Sequence, residues 1–99
     1  MTTYAFDAPL WEWESKTSWF FVSVPEDQAD DIEERFGRRT AGFGSIRVEV
    51  TVGKSIWRTS LFPSTEAATY VLPVKKAIRV AEGLVPGASV PVALRPLVD

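Results

Sequence analysis

Residues 46–52, IRVEVTV, alternate without a break: Ile46, Val48, Val50 and Val52 share one face, Arg47, Glu49 and Thr51 the other. Period-two alternation predicts a half-buried strand. Gly53-Lys54 then supplies a two-residue hairpin loop with glycine first. That loop sets a register in which Val50 faces Trp57, Val48 faces Thr59 and Ile46 faces Leu61, while Glu49 meets Arg58 on the opposite face. Core partners and charge partners fall out together.

The N-terminal stretch behaves differently. Tyr4, Phe6, Ala8 and Leu10 point one way, and Asp7, Pro9, Trp11 and Trp13 the other, so both faces carry large apolar groups, as at a barrel seam. Pro9 has no N–H for a ladder and predicts an edge or a bulge. A polar turn at residues 14–17 leads into a second strand, SWFFVSV. Pro25 opens a helix over 25–36, with Glu26 and Asp27 at the positive end of its dipole, a stripe of Ala29, Ile32 and Phe36, and Gly37 as the stop. Asp30, Asp31, Glu33 and Glu34 read as its solvated face. A short strand follows at Thr69–Leu72. Pro73 then predicts a second helix over 74–82, with Val74, Ala77, Ile78 and Ala81 inward and Gly83 as stop. Val90, Val92 and Leu94 alternate in a last strand. The two helix starts match weakly at an offset of forty-eight residues, Pro25 with Pro73 and Ala29 with Ala77, which fits a barrel of two similar halves.

Ninety-nine residues make one domain spanning 1–99. The chain contains no cysteine and no histidine, which removes disulfides, thiolate nucleophiles and the commonest general base and metal ligand. No cofactor or metal is called for. The formal charge of −2 gives no general attraction to nucleic acid. The N-terminus is acidic where a signal peptide would be basic, and no apolar run is long enough for a bilayer, so the expected location is the cytoplasm.

Several of these segments have a family likeness. LWEWESKTSWFFVSVPED, GFGSIRVEVTVG, WRTSLFP and YVLPVKKAIRVAEG resemble a bacterial family known only as a domain of unknown function, numbered nineteen hundred and five. The resemblance covers nearly the whole chain. It implies a mostly β fold with two helices, a small double-split β-barrel related to the swapped-hairpin barrels of AbrB-type DNA-binding proteins. Members occur alone or joined to a YdeI/OmpD-associated domain, which this length is too short to include. The resemblance implies no activity and no site residues.

The stretch GRRTAGFGS, residues 37–45, is first a turn and second a candidate anion site. It lacks the third glycine and the following helix of a dinucleotide loop, and Gly53-Lys54-Ser55 sits in a hairpin rather than a phosphate loop. Spaced glycines can still offer N–H groups, and guanidinium forks suit oxyanions. The candidate ligand-binding set is therefore Arg39, Gly42, Gly44, Ser45, Arg47 and Arg58. Among the tryptophans, Trp19 and Trp57 are expected in the core, with Trp11 or Trp13 left open as stacking surfaces. Glu12 and Glu14 share a strand face without a placed partner.

The leading expectation is a non-enzymatic binding module for an anionic small molecule or a protein partner, as monomer or homodimer. The alternative is a nucleic-acid-binding, transcription-regulator-like protein using Lys75, Lys76 and Arg79. Third stands an enzyme working through Lys, Tyr or carboxylate chemistry.

Overall fold

A computed structural model describes residues 2–14, 18–37 and 44–97. The elements run β1 (Tyr4–Trp13), β2 (Trp19–Ser23), α1 (Glu26–Phe36), β3 (Ile46–Val52), β4 (Ser55–Ser64), β5 (Thr69–Pro73), α2 (Lys76–Glu82) and β6 (Ser89–Pro96). The six strands close an antiparallel barrel in the order β1-β2-β5-β4-β3-β6.

Two strands of ten residues hold the barrel together by changing partners midway. β1 pairs with β6 through Tyr4–Pro9 and with β2 through Leu10–Trp13. β4 pairs with β3 through Ser55–Leu61 and with β5 through Phe62–Ser64. Pro9 is the last rung of the first ladder, where a missing N–H costs least. The β3–β4 hairpin has the register that alternation and Gly53 dictate: Ile46 with Leu61, Val48 with Thr59, Glu49 with Arg58 and Val50 with Trp57. Gly53 takes φ +57° at the turn.

The helices lie against the barrel, α1 packing on β5 and α2 on β4. The halves β1-β2-α1-β3 and β4-β5-α2-β6 obey a pseudo-two-fold relation visible in the hydrogen bonds. Val24 donates its N–H to Tyr70 O at 3.0 Å, and Val74, fifty residues on, donates to Phe20 O at 2.9 Å. Tyr4 Oη donates to Asp31 and Ser55 Oγ donates to Glu82; each bond spans 27 residues, and the second lies fifty-one positions beyond the first. The structural offset is thus fifty or fifty-one, not forty-eight.

The reason lies at Pro73. It does not open the second helix but ends β5, opposite Phe21; Lys75 is the N-cap and the helix begins at Lys76. Pro25, by contrast, caps α1 directly. The later start also turns α2: Val74 and Ile78 are buried, whereas Ala77 and Ala81 are exposed, contrary to the expected stripe. Gly83 ends α2 in the left-handed region at φ +64°, where Leu84 N–H reaches Arg79 O at 2.8 Å. Gly37 ends α1 in the right-handed region and needs no glycine-specific backbone.

The interior is filled by Leu10, Val22, Ile32, Val48, Val50, Leu61, Leu72, Val90 and Leu94, each at most 1% exposed. Each such side chain contributes roughly 1.5–3 kcal/mol of hydrophobic stabilisation. No polar or charged residue is buried among the described residues. Among them, too, no helix is long and apolar enough to cross a membrane.

Candidate functional site

The strand alternation that fills the barrel also decorates its outside. On β1 and β2 the register pairs Trp13 with Trp19 and Trp11 with Phe21, placing all four on one outer face. Phe21 is the buried floor; the Trp11, Trp13 and Trp19 rings surround it at centroid distances of 5.1, 6.5 and 6.3 Å. Trp57 is 8% exposed and belongs to the core, but Trp19 is 52% exposed, so only one of the two expected core tryptophans is there. Trp13 and Phe62 are similarly uncovered, at 48% and 45%. Trp11 is fixed by its indole N–H, which donates to Ser23 Oγ at 2.9 Å.

Two depressions flank this aromatic ridge. The first, about 540 Å³, lies between α2 and β4; Trp19, Phe20, Trp57 and Phe62 line it together with the cations Arg58, Lys75 and Arg79. The second, about 450 Å³, is walled by Trp11, Trp13 and Trp19 on one side and Phe62 and Pro63 on the other, with Glu66 at its lining. Trp19, Phe62 and Pro73 line both.

The cations of the first groove are held differently. The Arg79 guanidinium lies 3.8 Å from the Phe20 ring centroid, and its Nε donates to Val74 O at 3.2 Å. This cation–π seat and backbone tether fix the side chain before any ligand arrives. Neither Arg79 nor Lys75 has a carboxylate within ion-pair distance among the described residues. Arg58 does: its Nε meets Glu49 at 3.3 Å, and Glu49 also accepts from Arg95 at 3.0 Å. Hydrogen bonds from Arg95, then Arg58, hold Glu49 below the usual carboxylate range, against the opposing effect of partial desolvation.

The residues named from sequence are dispersed by the fold. Arg39 and Gly42 lie outside the described residues. Gly44, at φ +81°, lines a different cleft of about 840 Å³ beside α1, where Asp30, Glu33 and Glu34 stand. Ser45 is half-buried just before β3, and Arg47 is exposed on β3. Arg58 shares no cavity with Gly44; it shares one with Lys75 and Arg79, which sequence reasoning had assigned to a separate surface. Lys76 is exposed on α2 and does not line that groove. Trp19, Phe20 and Phe62 were missed as site residues. The available signal was the load of large apolar groups on both faces of β1 and β2, more than one interior can take.

One of the supposed solvated acids on α1 has a structural partner. Asp31 accepts from Tyr4 Oη at 2.5 Å and from Arg35 Nε at 3.0 Å. The Tyr4 bond, then Arg35, holds the Asp31 carboxyl below its ordinary value. Burial, reinforced by the Asp31 hydrogen bond, pushes the Tyr4 phenol up to about 12.

A search of curated proteins returns no match to this chain. The family model described as "Domain of unknown function (DUF1905)" matches residues 6–94, nearly the whole chain, and the protein belongs to that family.

Proposed function

We propose that this chain is a non-enzymatic binding module whose ligand carries an anionic group and a flat apolar body, seated in the groove between α2 and β4. One observation carries the reading. Lys75 and Arg79, without carboxylate partners among the described residues, line the same groove as Trp19, Phe20 and Trp57. Cations without an ion pair beside aromatic walls match an oxyanion at one end of a ligand and a ring at the other. The groove volume of about 540 Å³ falls within the range of small-ligand sites, roughly 300–1,000 Å³. The cleft at Gly44 is the weaker candidate for an anion because its described wall is acidic.

The test uses 1-naphthyl phosphate, inorganic phosphate and 1-naphthalenemethanol as probes, titrated by calorimetry at low salt. The joined ligand should bind at least tenfold more tightly than either part, a difference of about 1.4 kcal/mol. The double variant Lys75→Glu, Arg79→Glu should remove that advantage. If wild type binds the three probes alike, or the variant behaves as wild type, the proposal fails.

A further inference from the structure

We infer that the ligand class is single-stranded nucleic acid or its smallest unit, two bases joined by a phosphodiester, held across the Trp19–Phe62 ridge. The inference rests on the proposed anion groove and adds the second, aromatic cleft to it.

The cleft walled by Trp11, Trp13 and Trp19 is separate from the groove but adjoins it, with Trp19, Phe62 and Pro73 lining both. A sheet that leaves Trp13, Trp19 and Phe62 about half-exposed on one outer face keeps more aromatic surface there than covering Phe21 requires. Together the two depressions offer an aromatic surface, a ridge, and a second aromatic surface beside cations. The complementary molecule has a flat group, an anionic link and a second flat group. Single strands repeat that order, with each base presenting a π-face to an indole and the phosphate exposed between. A duplex keeps its bases stacked on each other and cannot use the cleft. A lone aromatic anion fills only one of the two depressions.

Charge bounds the mode of binding. The groove supplies three cations, and one of them, Arg58, already shares Glu49 with Arg95. With two or three phosphate contacts at roughly 0.7 each, log Kd against log salt should have a slope of only about 1.4–2.1. Stacking therefore carries much of the affinity. Glu66, with Ser64 and Thr65, lines the aromatic cleft and presents hydrogen-bond acceptors there. A carboxylate accepts from the exocyclic amino group of cytosine and is repelled by the carbonyl oxygen that thymine has instead. Oligocytidylate should bind better than oligothymidylate.

The experiment is fluorescence anisotropy with labelled oligodeoxycytidylate, oligodeoxythymidylate and oligoribocytidylate, a hairpin duplex, and the dinucleotide CpC as competitor, with heparin as a polyanion that cannot stack. Oligocytidylate should bind, the duplex and heparin should not compete, and Trp19→Ala should weaken binding about tenfold while still melting cooperatively above the assay temperature. Lys75→Glu with Arg79→Glu should weaken it and flatten the salt slope. Competition by CpC as strong per site as by the strand assigns the free dinucleotide; a large excess for the strand assigns nucleic acid. Glu66→Gln should narrow the preference for cytosine over thymine. The inference is overturned if oligonucleotides do not bind, if heparin competes as well as the strand, or if Trp19→Ala binds as wild type. Where naphthyl phosphate binds but oligonucleotides do not, the inference falls and the anion-groove reading stands; where neither binds, both fall.

Discussion

Replacing Gly53 by alanine tests how α2 is fastened to the barrel that it must meet to form the groove. Two effects add. Gly53 sits at φ +57°, where a Cβ costs about 1–2 kcal/mol. A Cβ there would also collide with the Glu82 carboxylate, which accepts from Ser55 Oγ at 2.7 Å. Moving that carboxylate forfeits the hydrogen bond between β4 and α2, on the order of 1 kcal/mol. The expected cost of Gly53→Ala is therefore about 2–3 kcal/mol. Gly83→Ala is the control: its φ is +64°, but nothing lies within 4 Å of an added Cβ, so only the backbone effect of about 1–2 kcal/mol remains. Urea unfolding followed by tryptophan fluorescence would separate the two, provided the slopes agree. In a Glu82→Ala background the Gly53→Ala cost should drop to that of Gly83→Ala, a coupling of about 1 kcal/mol. Equal costs for the two single variants, or no relief from Glu82→Ala, would show that Glu82 does not occupy the space over the turn.

Three further outcomes are expected. Trp57→Ala should cost about 3–5 kcal/mol, as a buried aromatic does, while Trp19→Ala, half-exposed, should cost well under half of that by the same urea assay. The Tyr4–Asp31 pair shapes stability at both ends of the pH range. Tyr4 is raised to about 12, so its contribution is full below pH about 10 and is lost as pH climbs toward 12. Asp31 is lowered, so its contribution is full above its ordinary value and is lost as pH falls through its folded one. Tyr4→Phe should reduce the alkaline loss, leaving the share of Tyr70, whose phenol is also raised by burial, and should shrink the acid one in urea midpoints measured against pH. Gly44→Val should destabilise by about 1–2 kcal/mol because it forces a β-branched residue to φ +81°, and melting curves would show it.

How far the sequence could be read depended on the distance over which its information acts. The β3–β4 hairpin was legible down to register because Gly53 and seven alternating residues settle it locally. The α1 stripe of Ala29, Ile32 and Phe36 was legible for the same reason. Trp19 was not. β2 carries large apolar groups on both faces, and which face turns inward is decided by its ladders with β1 and β5, the latter some fifty residues away. Pro73 misled because a proline suits the end of a strand as well as the start of a helix, and its pairing with Phe21 is again non-local. The groove shows the same limit. Arg58, Lys75 and Arg79 were each visible as candidates, but on two different surfaces, since only barrel closure brings α2 against β4.

The pseudo-two-fold relation separates residues the fold requires from residues it tolerates. Ala29 N–H to Pro25 O and Arg79 N–H to Lys75 O are equivalent helical bonds fifty positions apart. The same place in the architecture is therefore occupied once by alanine, 5% exposed against the core, and once by an arginine seated over Phe20. Phe20 in turn is the counterpart of Tyr70, which lines the α1 cleft together with the acids Asp30, Glu33 and Glu34. Since both halves close the same barrel, closure does not demand a cation at that position. Arg79→Ala copies what α1 already does, so it should leave a folded protein with a melting temperature within a few degrees of wild type. It should also cost at least tenfold in affinity for 1-naphthyl phosphate, because the cation held over Phe20 is then lost to the ligand. A variant that unfolds would place Arg79 among the structural residues, and a variant that binds undiminished would remove it from the groove's chemistry.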